Sequence, residues 1–272
     1  MDSNNKIPVV ILAGGFGTRL GEETSKIPKP LVKIGQYPIL VHIMSTYLKQ
    51  GFDDFIILGG YKCEEIKNYF YNFESNYSNI GFEFKSGVYQ QNWVSTGLDP
   101  LGFADRDWKL RIIDTGLFAN TSERLWRASK HFDSDKFFCT YGDGLSTINL
   151  NSLLISHVNS GLDATLTAFH PPSRFGEVRI SRNGLVENFE EKPLMQTRVN
   201  GGFFVFEKSV ISYCKENTEP LESGVLSKLA AEGRLGAYAS NAWWQMMDTP
   251  RELKILNDLW DGGNPPWLKF ES

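Results

Sequence analysis

The chain holds 272 residues, 41% hydrophobic and 22% charged with 12 prolines, a composition that excludes disordered and collagen-like chains. Its 28 Lys and Arg against 32 Asp and Glu give a net charge of −4 and a pI near 5.7. With no basic run, it lacks the electrostatic footprint of a general nucleic-acid or anionic-membrane binder.

Three scattered cysteines, Cys63, Cys139 and Cys214, form no C-x-x-C pair, which points to a reducing compartment. The longest apolar runs fall far short of the roughly 20 residues that span a bilayer. The first eight residues lack the apolar stretch of a signal peptide. A cytoplasmic protein is expected.

Short β-type runs alternate with helical stretches through the first 170 residues, the pattern of βαβ units that build a mostly parallel sheet. The first strand is Val9-Val10-Ile11-Leu12-Ala13, continuously apolar as a strand covered on both faces should be. A helix opened by Pro38 runs to about residue 50, followed by a strand over 54–58 and a helix over 63–73. Residues 77–108 read as loops with strands such as 81–85. Beyond them come a strand at 109–113, a helix at 122–131, a strand at 136–140, a helix at 150–159 and a strand at 163–169. After His170-Pro171-Pro172, shorter strands at 177–180, 185–189 and 202–206 suggest an antiparallel β extension for substrate. Thr249-Pro250-Arg251-Glu252 supplies an N-cap, a proline at the first helical position and a capping-box glutamate for a last helix at 250–261. The expected class is α/β, with a Rossmann-like, mostly parallel mixed sheet flanked by helices. One domain divides into a nucleotide-binding core (9–170), a β extension (171–249) and a C-terminal helix and tail (250–272).

Leu12-Ala13-Gly14-Gly15-Phe16-Gly17-Thr18-Arg19 follows the first strand, and its glycines let backbone N–H groups approach a phosphate. No Gly-Lys-Ser/Thr follows, and Leu20 stands where a dinucleotide fingerprint needs its third glycine, so both familiar phosphate loops are excluded. Arg19 and Lys29, the latter between Pro28 and Pro30, add two cations, which suggests a polyphosphate. Asp143, in Tyr141-Gly142-Asp143-Gly144, belongs at the carboxyl end of a parallel strand, where open α/β sheets bind ligands. Asp248 precedes the capped helix, and the two carboxylates suffice for a nucleotide-bound magnesium ion. Each has a structural alternative, a turn for Asp143 and a helix-dipole partner for Asp248. The four histidines, His42, His131, His157 and His170, accompany no serine or cysteine motif, so a nucleophilic triad is not expected.

Taken with Glu22-Glu23-Thr24, Pro171-Pro172, Arg174-Phe175-Gly176, Glu190-Glu191-Lys192-Pro193, Asn200-Gly201-Gly202 and the stretch from Trp244 to Thr249, these elements resemble the sugar-1-phosphate nucleotidyltransferases. Within that family the likeness is to the glucose-1-phosphate cytidylyltransferase branch. The resemblance implies Mg2+-dependent transfer of CMP from CTP to a sugar 1-phosphate, with pyrophosphate released. It assigns catalysis to Arg19, Lys29, Asp143 and Asp248, the two aspartates as metal ligands. The nucleotide falls to Leu12, Ala13, Gly14, Gly15, Phe16, Gly17, Thr18, Arg19, Lys29, Thr115, Arg124 and Gly142. The sugar phosphate falls to Glu191, Lys192, Asn200 and Gly201; from the residues alone, Glu191-Lys192 reads as an exposed charge pair. The resemblance also implies a homo-oligomer, and the aromatic stretch 89–108 is a candidate contact. CDP-sugars of such enzymes serve polysaccharide biosynthesis.

Three departures from the pattern bear on specificity. Ser122 and Glu123 stand where a glycine pair is usual before Arg124, placing a carboxylate that either repels phosphate or bonds the cytosine amino group. Gly224-Val225-Leu226 stands in place of the family's Glu-Pro-Leu, and residues 195–198 differ too. A UTP- or dTTP-using relative and a silent nucleotide-sugar sensor are the competing readings; retention of Arg19, Lys29, Asp143 and Asp248 argues against the sensor.

Overall fold

A computed structural model describes residues 7–269 except 22, 23, 25, 74–77, 86, 87, 96–98, 104, 105, 174 and 216–218, and the backbone alone over 78–95. In chain order the elements are β1 (Val9–Ala13), β2 (Lys33–Ile34), β3 (Tyr37–Pro38), α1 (Ile39–Leu48), β4 (Asp54–Gly59), α2 (Cys63–Tyr71), β5 (Ser78–Lys85), β6 (Val88–Ser95), β7 (Lys109–Asp114), α3 (Thr121–Ala128), β8 (Lys136–Tyr141) and β9 (Gly144–Ser146). There follow α4 (Leu150–Ser160), β10 (Ala164–Phe169), β11 (Glu177–Ile180), β12 (Val186–Glu190), β13 (Val199–Glu207), α5 (Val210–Lys215), α6 (Ser227–Ala231), β14 (Leu235–Ala239), β15 (Trp244–Met246) and α7 (Pro250–Asp261).

Among the described residues, seven strands form a mixed central sheet in the order β14-β10-β13-β8-β1-β4-β7. β1 lies parallel to β4 and β8, with Val9 opposite Phe55 on one side and Phe138 on the other. Its unbroken apolar run follows from that position, because each face meets a separate core. Val9, Ile11 and Ala13 pack with α1, Leu256 and Trp267, while Val10 and Leu12 pack with Leu125, Ala128, Val210 and Cys214. All three cysteines are buried and free.

The antiparallel extension expected from residue 171 onward is smaller than the sequence suggested. β13, longer than the expected 202–206 strand, lies inside the central sheet, antiparallel to β8 and β10. Its Phe203-Phe204-Val205-Phe206 run is fully buried, as only an internal strand allows. Of the three strands expected there, β11 and β12 stand off as a ribbon, with every residue exposed. β14 and β15 give too little periodicity over five and three residues to be seen in the sequence. The expected strand at 81–85 is the second half of β5, which pairs with β6. The capped helix at 250–261 forms as expected: Thr249 Oγ1 accepts from Glu252 N–H, and the Glu252 carboxylate accepts from Thr249 N–H at 2.8 Å.

Candidate active site

β1, β4 and β8 end together in parallel, so the loops that follow them form one wall. The glycine loop turns out of β1 with Gly17 at φ 65°, a conformation that favours glycine. Thr24 Oγ1 holds the turn by donating to the carbonyls of Gly17 (3.0 Å) and Gly21 (3.2 Å). Gly142 N–H donates to Leu12 O, and a Cβ on Gly142 would lie 2.9 Å from that oxygen, so only glycine lets the β8 loop close on β1.

Asp143 and Asp248 reach this wall by two pairings. β15 runs antiparallel to β9, placing Met246 opposite Gly144, and Met247 N–H donates to Asp143 O at 2.8 Å. The two aspartates thus meet across Lys29, whose Nζ donates to Asp143 Oδ2 at 2.6 Å and Asp248 Oδ1 at 2.5 Å. Arg19 Nη1 adds a 3.2 Å contact to Asp248 Oδ2 from the solvent side. Burial alone would lower the Lys29 pKa, but the two carboxylates raise it above that of a free lysine, so it stays charged. Burial pushes the Asp143 carboxyl up against the opposing pull of Lys29, whereas at the more open Asp248 the bonds from Lys29 and Arg19 outweigh burial and hold it down. Asp143 Oδ1 is buried with no hydrogen-bond partner.

A cavity of about 480 Å3 opens over these groups. Leu12, Ala13, Gly14, Gly15, Gly17, Thr18, Arg19, Lys29, Gly142 and Asp143 line it, with Asp248 at one end. Phe16 does not: its ring lies against Tyr61 and Phe118, with centroids 5.2 and 6.4 Å away.

Arg124 reaches the cavity, yet its guanidinium is engaged behind the glycine loop. Nη1 donates to Gly59 O (2.9 Å), Thr115 Oγ1 (2.7 Å) and Gly116 O (2.9 Å), and Nη2 to Gly14 O (3.0 Å). Thr115 in turn donates to Gly59 O at 2.6 Å and does not line the cavity. The fork ties the ends of β1, β4 and β7 together, a geometry that lysine cannot reproduce. A Cβ on Gly14 would fall 2.2 Å from the guanidinium carbon, which explains why this position is glycine.

Glu123, whose carboxylate the sequence places beside the nucleotide, does not line the cavity. Glu123 is the capping-box residue of α3: its N–H donates to Asn120 Oδ1 and its Oε2 accepts from Asn120 N–H, both at 2.9 Å. Its other oxygen faces Arg127 at 3.5 Å, and Ser122 is fully buried. The Asn120-x-x-Glu123 spacing is itself the capping-box signal, and it accounts for the carboxylate before Arg124.

Glu191 and Lys192 do not line the cavity; they pair with each other at 3.1 Å on exposed backbone, with Lys192 at φ 51°. Asn200 comes closer, its Nδ2 3.4 Å from Tyr141 Oη on the cavity wall, and Gly201 O accepts from Trp244 Nε1 at 3.0 Å. The Glu-Pro-Leu run is also present, as Glu219-Pro220-Leu221, and Pro220 and Glu222 line the cavity. Pro30, Ala119, Asn120, Thr121 and Tyr141 complete the wall. Glu22, Glu23 and Arg174 lie outside the described residues, as do the side chains of 89–95. Two of the histidines are buried structural residues: His42 bonds Ile34 O and Trp267 Nε1, and His157 bonds Thr165 and Glu207.

A glycine loop without a Walker lysine, two cations and two carboxylates over a mostly parallel sheet define a nucleotide-handling α/β protein. The chain belongs to the nucleotidyl transferase family, whose profile matches residues 8–245. It is 40% identical over 264 residues to the glucose-1-phosphate cytidylyltransferase of Salmonella typhimurium, covering 96% of this chain and 99% of that one. It is 37% identical to a probable glucose-1-phosphate cytidylyltransferase of Bacillus subtilis, covering 95% and 98%. In fold it is similar to HddC from Yersinia pseudotuberculosis (TM-score 0.66, 21% identity, 93% of this chain and 99% of that one). It is similar too to a UDP-glucose pyrophosphorylase crystallised with UDP-glucose (TM-score 0.67, 12% identity, 95% and 99%). Among the described residues, no helix is long and apolar enough to cross a membrane.

Proposed function

We propose that the chain transfers the cytidylyl group of CTP to glucose 1-phosphate, releasing pyrophosphate and forming CDP-glucose. The observation that carries this reading is the meeting of Lys29, Asp143, Asp248 and Arg19 beside the glycine loop, in a chain that matches glucose-1-phosphate cytidylyltransferases over nearly its full length. A sugar phosphate is already anionic near neutral pH, so its oxygen attacks the α-phosphorus in line while the bond to the β-phosphate oxygen breaks and its electron pair leaves with pyrophosphate. No protein nucleophile is needed. Positioning and charge neutralisation carry the rate. The backbone of the glycine loop cradles the triphosphate, with Arg19 and Lys29 meeting its charge. Arg124 acts from behind by holding the loop in register with β4 and β7. Asn200 and Gly201 flank the acceptor side, while Glu191 and Lys192 must approach from the β11–β12 ribbon to reach it.

Magnesium belongs to this reading, and the residues present fit it. Asp143 offers a buried, unpartnered oxygen and Asp248 a second carboxylate, the one or two that a nucleotide-bound magnesium takes. Among the described residues no group of three or more metal-ligating side chains exists, so Asp143 and Asp248 would hold the ion together with phosphate oxygens and water. When bound, the cation supplies charge stabilisation to the phosphate oxygens. Homo-oligomerisation is part of the same reading, supported by the exposed Phe175, Val178, Ile180 and Phe189 on and beside the ribbon, and light scattering in solution tests it. The activity is tested by pyrophosphate release with CTP, UTP, dTTP, ATP and GTP, each against a panel of sugar 1-phosphates. Turnover confined to CTP with glucose 1-phosphate is expected; turnover with another nucleotide alone, or none at all, refutes it.

A further inference from the structure

Glu222 is an acid that no role above absorbs. It opens a π-helical turn (Glu222–Leu226), a rare conformation concentrated at functional sites, and it lines the cavity. Its carboxylate is aimed by two donors from different elements: Tyr141 Oη donates to Oε1, and Thr121 Oγ1 lies 3.3 Å from Oε2. Thr121 is itself fixed, accepting from Leu221 N–H at 2.7 Å. The Tyr141 ring is seated against Gly202, where a Cβ would overlap it, and Tyr141 Oη lies 3.4 Å from Asn200 Nδ2. Burial and the neighbouring carboxylate both push the Tyr141 phenol up, so it remains a donor. Among the described residues no Lys or Arg pairs with Glu222.

An oriented, uncompensated carboxylate inside a phosphate-binding cavity repels anions and accepts hydrogen bonds from hydroxyl groups. Its place selects which substrate it meets. The loops after β4 and β7, with Gly59, Thr115 and Thr121, lie on one side of β1; Tyr141, at the end of β8, and Asn200, on β13, lie on the other, so Glu222, held by Thr121 and Tyr141, stands between the two. With the nucleotide on the β4 side, the acceptor falls on the β8–β13 side, and Glu222 meets it through Oε1, the oxygen that Tyr141 holds beside Asn200.

We propose that Glu222 is a specificity-determining residue that accepts hydrogen bonds from the hydroxyls of a neutral hexose 1-phosphate and excludes sugar phosphates carrying a second acid group. This rests on the proposed nucleotidyl transfer. With wild type and Glu222→Gln at saturating CTP, glucose 1-phosphate and glucuronate 1-phosphate are compared. The variant should raise KM for glucose 1-phosphate about tenfold, the worth of a hydrogen bond to a charged group. KM for CTP should stay within about twofold, and the kcat/KM preference for glucose 1-phosphate over the uronate should fall at least about tenfold. Tyr141→Phe, which frees the carboxylate, should move the same ratio less far. An unchanged preference, or a change carried by KM for CTP, overturns the assignment. If the wild type turns over no pair of substrates, the nucleotidyl-transfer reading fails. Calorimetric binding of the two sugar phosphates to both proteins then decides Glu222 alone: equal discrimination overturns it, and relaxed discrimination in the variant supports it.

Discussion

Replacing Lys29 by methionine tests the charge balance of the site. The lysine is 9% exposed and bridges two carboxylates at 2.6 and 2.5 Å, so the substitution leaves those carboxylates no more than about 5 Å apart with only the exposed Arg19 nearby. At the effective dielectric of about 20 suited to such sites, two unit charges at that separation repel by about 3 kcal/mol. Proton uptake by Asp143, which burial already favours, relieves part of this. Removing one member of a buried ionic cluster costs about 3–5 kcal/mol. In a chain of this size class that corresponds to a fall in Tm of about 6–20 °C. Urea and thermal unfolding, followed by circular dichroism without nucleotide, measure the loss. Millimolar Mg2+ should restore part of the variant's stability and shift the wild type little, because Lys29 already supplies the cation between the carboxylates. A loss below about 1 kcal/mol, or equal stabilisation of both proteins by Mg2+, refutes the reasoning.

Arg124→Lys loses the fork that holds Gly14, Gly59 and Gly116 together, and should cost about 2–4 kcal/mol in urea unfolding and raise KM for CTP; retention of both would remove its positioning role. Glu123→Ala should cost about 1 kcal/mol, the worth of a helix cap, while KM for CTP stays within about twofold, since Glu123 faces Asn120 and Arg127 and not the cavity; a large KM effect would restore the base contact. Burial lowers the His42 pKa to about 4, with bonds to Ile34 O and from Trp267 N–H fixing the neutral ring. The unfolded chain then takes up a proton near pH 6.5 that the folded chain refuses. Stability is therefore full above pH 6.5 and falls by about 3 kcal/mol as pH drops towards 4. Titration of the assigned His42 imidazole near pH 6.5 in NMR spectra of the folded protein contradicts this.

What the sequence alone determined was local. Five consecutive apolar residues pointed to a strand covered on both faces, and the glycines after it, with Arg19 and Lys29 following, pointed to a loop able to cradle a phosphate. Thr249-Pro250-Arg251-Glu252 carried its own helix start within four residues. Asp143 and Asp248 were legible as carboxylates beside a strand end and a helix start because their neighbours announced those ends. Tertiary structure decided which groups meet. Lys29 stands 114 residues from Asp143 and 219 from Asp248, and the β9–β15 pairing and the β8-β1-β4 order bring all three to one point. The same long-range order placed β13 inside the sheet, bent Arg124 back onto three strand ends, and turned Glu222 into the cavity. Short-range signals follow from backbone periodicity and capping, which act over three or four residues. Side-chain meetings follow from strand order, which depends on how whole faces are buried and which no single segment encodes.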